Sequence, residues 1–342
     1  MSSARVYHHP GPNAAWLGKR FEDALDPGLP IVDPHHHLWD RPGDRYFLDE
    51  LLVDTGSGHN IVATVFVQCG WAYRTDGPEA LRPVGETEFV ATVADEAERR
   101  DLKTRVCAAI VGHVDLRLGE GVEAVLDAHL EAAGGRFRGI RQVTARSEDF
   151  VASILAPPPA GMMADAAFRA GFARLGKFGL SFDAWLYHTQ INELTDLARA
   201  FPDTPIVIDH VGGPLGIGPY QGRRDDVFAS WRGAMQQLAG CRNVSVKLGG
   251  LGMLVAGFAL HEQAVPPSSE ELADLWRPYM EACIEDFGAV RCMFESNFPV
   301  DKAMCSYPIL WNAFKRIAAG ASATEKALLF HDVATKVYRL PT

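Results

Sequence analysis

Eight short strand-like runs, most of them with β-branched residues, alternate along this chain with longer segments of helical spacing. That alternation narrows the available folds more than any other feature. The runs fall at 31–33, 61–68, 106–111, 139–143, 180–187, 206–209, 244–248 and 292–294. Several are continuously apolar, as in IVATVFV, AAIV and PIVI. A strand covered by helices on both faces needs apolar side chains at nearly every position, so these runs read as parallel sheet. Amphipathic segments lie between them at 86–100, 121–133, 164–177, 193–201, 227–238, 269–287 and 309–319, with a weaker one at 46–54. A last one at 324–338, with Thr324 placed to cap it, closes the chain. The predicted class is α/β, a (β/α)8 TIM barrel with an N-terminal extension. Residues 1–30, rich in proline and without apolar periodicity, read as an arm. Residues 31–342 read as the barrel and catalytic domain. A doubly wound open sheet is the rival, but it usually carries a glycine-rich turn after its first strand, where this chain reads DPHHH.

Composition removes other classes. In 342 residues the hydrophobic fraction is 47% and the charged fraction 22%, which is globular composition. There are 33 basic against 43 acidic residues, net −10, with no Lys/Arg block. Wrapping nucleic acid or lying on anionic lipid is not expected of such a surface. No apolar run reaches the roughly 18 residues of a membrane span. The first residues lack the apolar core of a secretory signal. The six cysteines are dispersed, form no CxxC and mostly sit in apolar runs. They read as buried reduced thiols, which places the protein in the cytoplasm. A small molecule is the expected partner, and a homo-oligomer is compatible with the sequence.

The densest chemistry is in IVDPHHHLWD at 31–40. On extended chain, residues i and i+2 share a face, so His35 and His37 can point into a barrel mouth while His36 points away. Two such imidazoles can hold a metal or bracket a substrate carbonyl. The bland alternative is a polar turn with hydrogen-bonded histidines. Gln68, Trp71 and Tyr73 follow the second strand and are candidates to cover a ring-shaped substrate, although aromatics in such loops often only pack.

DPHHHLWD resembles the opening HxH strand of the amidohydrolase superfamily. The resemblance is to its amidohydrolase-2 branch of TIM-barrel hydrolases, which includes lactonases and some decarboxylases. It runs from about residue 31 to 340 and is carried by GIRQ (139–142), DAWLYHTQ (183–190), PIVIDHVGGP (205–214), VSVKLGGLG (244–252) and MFESNFPVD (293–301). It implies that His188 and His210, at the ends of strands five and six, face the site of His35 and His37, as metal ligands or hydrogen-bonding groups around an oxyanion. Tyr187 or Gln190 competes with His188 for the inward position, and a structural role in the glycine turn competes for His210. The resemblance also implies that Arg141 and Arg146 grip a substrate carboxylate, for which the guanidinium fork is suited. Surface pairing with Glu148 or Asp149 is the alternative. Lys247 would either add positive charge to the pocket or lie along the barrel rim.

At strand eight the chain departs from the family pattern. The usual GSDWP is ESNFP here, which puts Asn297 where an Asp serves as metal ligand or general base. An amide cannot take a proton from water near neutral pH. Asp301 is the favoured replacement base and Glu295 the second, unless Lys302 holds Asp301 outward. The resulting expectation is a hydrolase acting on a small cyclic ester, or a related acyl substrate, that carries an anionic group. Asp301, Asn297, His188 and Arg141 would be catalytic. Arg146, Lys247, Gln68, Trp71 and Tyr73 would bind substrate. A divalent metal of the zinc type would sit on His35 and His37 with His210 or His188. The alternatives are a metal-dependent nonoxidative decarboxylase and a catalytically silent ligand-binding barrel.

Overall fold

The structure is a computed structural model that describes residues 5–152 and 157–341. Its central strands are β1 (Pro30–His36), β2 (Asn60–Val67), β3 (Arg105–Gly112), β4 (Phe137–Arg141), β5 (Ser181–Ala184), β6 (Ile206–Ile208), β7 (Val244–Leu248) and β8 (Cys292–Phe294). They form one sheet in sequence order, and every pairing is parallel. Contacts just beyond the strands bring β8 back to β1. His36 bridges Phe298, His37 N–H donates to the Phe298 carbonyl at 2.8 Å, and Asn297 N–H donates to the His35 carbonyl at 2.9 Å. The fold is therefore the (β/α)8 barrel expected from the alternation.

A helix follows each strand: α1 (Leu48–Thr55), α2 (Val84–Arg99), α3 (Val122–Ala132), α4 (Ala166–Lys177), α5 (Ile191–Ala200), α6 (Arg224–Ala239), α7 (Ser269–Phe287) and α8 (Tyr307–Ile317). Their apolar faces bury against the outer face of the strands, which is why the strands read as continuous apolar runs. Local sequence sets where helices start. Ser268 and Glu271 form a reciprocal capping box at α7, and the Asp165 side chain accepts from Phe168 N–H at α4. No helix among the described residues is long and apolar enough to cross a membrane.

Two expectations needed correction. The apolar run at 180–187 does not continue as strand beyond Ala184. The Trp185 carbonyl leaves the ladder to accept Thr144 N–H at 2.9 Å and Ala145 N–H at 3.1 Å, and the chain then winds into a 3-10 turn, His188–Gln190. At the C-terminus the cap is Ser322 rather than Thr324, and the helical stretch includes a π segment, Leu328–Asp332.

The two ends of the barrel are closed differently. Val333, Ala334, Tyr338 and Leu340 pack with the small inner residues of the strands, among them Val32, Ala63, Val65 and Ala109. Arg105, at the start of β3, donates to the Pro341 carbonyl, so this plug lies at the N-terminal end of the strands. The chain before β1 runs over the other end. Arg5–Val6 pairs in parallel with Phe150–Val151. Trp16 Nε1 donates to the Gln263 carbonyl at 2.8 Å, and Arg20 Nε donates to the Pro266 carbonyl at 2.7 Å.

Candidate active site

β1 carries a register irregularity between Asp33 and His36, and beyond it the two-residue spacing sends His35 and His37 to one face and His36 to the other. His35 and His37 turn inward with ring centres 4.9 Å apart, while His36 turns outward against Phe66 and the Cys107 thiol. Below them lies a layer of charged residues with no exposure to solvent: Asp183, Asp209, Lys247 and Glu295. Lys247 Nζ lies 2.6 Å from Asp183 Oδ2 and 3.1 Å from Asp209 Oδ1. Burial alone would favour the neutral amine, but Asp183, Asp209 and Glu295 around it raise its pKa. Lys247 is thus a fixed internal cation, sealed inside the barrel rather than at its rim.

His35 stands between two cations. Arg141 Nη1 is 3.2 Å from its Nε2, and Lys247 Nζ is 3.2 Å from its Nδ1. A neutral imidazole accepts at one nitrogen only. Lys247 has two carboxylates for its protons, so the consistent assignment leaves Nε2 accepting from Arg141. Nδ1–H then faces Glu295 Oε2 at 2.8 Å. Burial first, and then the Lys247 charge, pushes the His35 pKa well down. His37 is likewise lowered, by burial and then by Arg141, and its Nδ1 bonds the Val67 carbonyl at 2.7 Å.

Glu295 joins the histidines. Its Oε1 accepts from His210 Nδ1 at 2.7 Å and from His210 N–H at 3.1 Å. Burial would raise this carboxyl, but the His210 and His35 rings outweigh it and hold it at about 2. Glu295 is therefore an anion that fixes the His210 tautomer and leaves Nε2 as a lone pair. Among the described residues that Nε2 has no hydrogen-bond partner. The backbone at His210 is in the left-handed region (φ 56°), which a non-glycine residue adopts only where the surroundings force it. The glycine turn after β7 supplies that environment. A Cβ on Gly250 would come within 2.4 Å of the His210 ring, and one on Gly252 within 2.8 Å of the Asp301 carboxylate. The GGLG sequence is a mould around these two side chains.

Asp301 is fully buried and turned inward. Lys302 pairs instead with Asp54 at 2.7 Å. Asp301 Oδ1 accepts from Asn297 Nδ2 at 2.8 Å, and Oδ2 accepts from Gly252 N–H at 2.9 Å. Burial raises its pKa to about 7, against the smaller opposing effect of His210 and these two bonds. Asn297, not Asp301, reaches the cavity wall.

The cavity at the mouth has a volume of about 660 Å³, enough for a small ring compound, and His37, Arg141, His210 and Asn297 line it. Arg141 is clamped. Its Nε donates to Gln68 Oε1 at 3.2 Å, its Nη2 to the Gln68 carbonyl and its Nη1 to His35, with Asp209 3.7 Å away. Two of its five N–H groups remain for a substrate.

The other candidates lie apart from this cluster. His188, carried off by the turn that ends β5 early, accepts from Leu215 N–H at 3.4 Å and packs on Tyr220. Arg146 pairs with Glu148 at 2.9 Å and donates to the Pro158 carbonyl. Gln68 is used up by Arg141, and Tyr73 packs on His113 beside it. Trp71 leans on Phe47. The sequence reading passed over Asp183, Asp209 and Arg41. Asp209 does stand beside His210 in the DHVGG motif, which was the available signal.

His35, His210 and Glu295 form a group that by donor type and spacing could hold a metal ion, with one ligand atom each and all within 4.8 Å. His37 is not in it. Protonation and charge count against an ion in this arrangement. The His35 lone pair is taken by Arg141, Glu295 Oε1 is taken by His210 while Oε2 has no hydrogen-bond partner, and Lys247 and Arg141 already put two cations on His35. The residues as placed do not fit an ion unless Arg141 withdraws.

A closed parallel barrel with three imidazoles, a buried carboxylate and a clamped arginine at the C-terminal ends of its strands has the architecture of a TIM-barrel enzyme. The chain belongs to the amidohydrolase family, whose signature matches residues 32–340, and it is an enzyme of the hydrolase class. It is 36% identical over 334 residues to the Sinorhizobium fredii protein y4mH, covering 91% of this chain and 99% of that one. It is 26% identical over 331 residues to an L-fucono-1,5-lactonase of Burkholderia multivorans, covering 91% and 96%. A Burkholderia multivorans amidohydrolase solved with bound zinc superposes with a TM-score of 0.71 at 24% identity, covering 91% and 99% of the two chains.

Proposed function

We propose that this enzyme hydrolyses a small cyclic ester, or a closely related acyl substrate, that carries an anionic group. One observation carries this reading: the Glu295–His210 pair, whose free Nε2 faces the same cavity as Asn297 and the Arg141 guanidinium. Similarity to an L-fucono-1,5-lactonase supports a lactone as the substrate type.

In this reading His210 is the general base, and its Nε2 takes a proton as the water oxygen bonds to the acyl carbon. Glu295 holds the ring in place and stabilises the imidazolium that forms. Asn297 spends one Nδ2–H on Asp301, which turns its carbonyl Oδ1 toward the cavity as an acceptor that orients the water. The two free N–H groups of Arg141 meet the developing oxyanion. When the ring C–O bond breaks, the imidazolium returns its proton to the leaving alkoxide, and the product is the open hydroxy acid.

A panel of γ- and δ-lactones and aryl esters tests the reaction. Ring opening that His210→Asn abolishes supports it, and no turnover of any member overturns it. No step uses a metal, so activity is expected to survive dialysis against a chelator, with metal content measured in the same sample. Loss of activity that returns on adding zinc would instead give the ion the central place. A reducing, cytoplasmic setting with a small-molecule partner is the companion proposal, supported by six free buried cysteines.

A further inference from the structure

Resting on that reading, the location of the substrate's anionic group can be addressed. The cavity holds two arginines, Arg41 and Arg141. Arg141 is committed to Gln68 and His35. The Arg41 side chain makes no ion pair and no hydrogen bond among the described residues. Asp44, its register partner in a short hairpin, also lies on the cavity, and its carboxylate accepts from Trp39 Nε1 at 3.0 Å. The Arg41 guanidinium carbon instead sits 3.7 Å from the centre of the Trp39 ring. Stacking fixes the plane of the fork and leaves its N–H edges free. His37 stacks on the same Trp39, with rings 5.6 Å apart and 19° between planes, so one indole links the arginine to the histidine cluster.

Asp44 and Glu86 act on this half-buried cation through space without pairing with its fork, so the fork stays unpaired at a cost in free energy that a ligand anion in direct contact recovers. A planar carboxylate matches the fork with two parallel hydrogen bonds. We infer that Arg41 is the specificity-determining residue that binds the substrate, and that the substrate is a lactone bearing a ring carboxylate away from the reacting carbonyl. Arg141 then serves the oxyanion and Arg41 the carboxylate, a division of labour between the two cavity arginines.

The test compares γ-carboxy-γ-butyrolactone with its carboxamide on wild type, Arg41→Gln and Arg41→Lys, with thermal melts to establish folding. Wild type is expected to prefer the carboxylate in kcat/KM by roughly 30-fold or more, mostly through KM. Arg41→Gln should bring that ratio close to one. Arg41→Lys, which keeps charge and loses the fork, should fall between them. A ratio unchanged by Arg41→Gln overturns the inference. Calorimetry with the inert tetrahydrofuran-2-carboxylate and its amide separates binding from chemistry. If wild type opens neither lactone nor any member of the panel above, the proposed reaction fails, while a binding preference for the carboxylate that Arg41→Gln erases still supports the subsite. No preference in wild type overturns the subsite.

Discussion

Glu295 and Asp301 are both buried acids one turn of loop apart, yet their surroundings push them in opposite directions. Glu295 faces two imidazoles and stays ionised, while for Asp301 burial outweighs His210, the Asn297 amide and one backbone N–H and raises it to about 7. Glu295→Gln keeps the shape and removes the anion that orients His210. A kcat loss on the order of 10²–10⁴ is expected with KM little changed, measured by steady-state kinetics. Asp301 should give kcat/KM a limb that rises through about pH 7, because the ionised carboxylate is the stronger acceptor for Asn297. Asp301→Asn should flatten that limb, which a pH–rate profile checks. Stability runs the other way. An acid with a raised folded pKa binds its proton more tightly when folded, so its contribution is lost as pH rises from its ordinary range through 7. Asp33, raised to about 6, and Glu86, raised to about 7, have the same sign, so a melting curve would mix the three.

Among the elements, the C-terminal plug carries the clearest energetic consequence. Tyr338 donates its hydroxyl to Asp183 Oδ2 at 2.6 Å, and its ring lies under Lys247 with the ammonium 5.4 Å from its centre. Tyr338→Phe keeps the packing and takes one hydrogen bond from a buried carboxylate. A loss of about 1–3 kcal/mol in unfolding free energy is expected from urea denaturation. The shortened β5 shows the limit of reading elements from apolar runs. LSFDAWLY ends in the apolar AWLY, but the strand stops where Trp185 finds other backbone partners. Three residues of overrun were enough to place His188 in the site when the chain had already turned away.

At the scale of the whole molecule, the site is assembled from both ends of the sequence. Tyr7, His8 and His9 of the N-terminal arm line the same cavity as Asn297. His9 Nε2 bonds the Val300 carbonyl at 2.9 Å, and its Nδ1 accepts from Leu254 N–H at 3.3 Å. The arm is a wall of the pocket, while the strands and their plug make up the core. Deleting residues 1–12 should therefore raise KM by about tenfold or more and leave the melting temperature within a few degrees, read by kinetics and circular dichroism on the same preparation. A cooperative loss of fold would instead make the arm part of the core.

The barrel was legible because parallel strands buried on both faces favour apolar side chains, and eight strand-like runs, several of them continuously apolar, alternate with helical segments. The inward pair His35 and His37 was legible because strand periodicity is local and fixed by backbone geometry. So was the loss of a base at Asn297, since an amide has the same chemistry in any fold. Tertiary structure decided which charges face one another. Lys247 and Asp183 lie on two different strands and Asp209 just past the end of a third, and only the folded barrel makes them one buried network. The assignment of Glu295 to His210, of Asp301 to Asn297, and of Arg141 to Gln68 depends on distances of about 3 Å between residues up to 85 positions apart. Hydrogen bonds and ion pairs fall off over a few ångströms, so the roles of these side chains follow from spatial neighbours that no sequence pattern specifies.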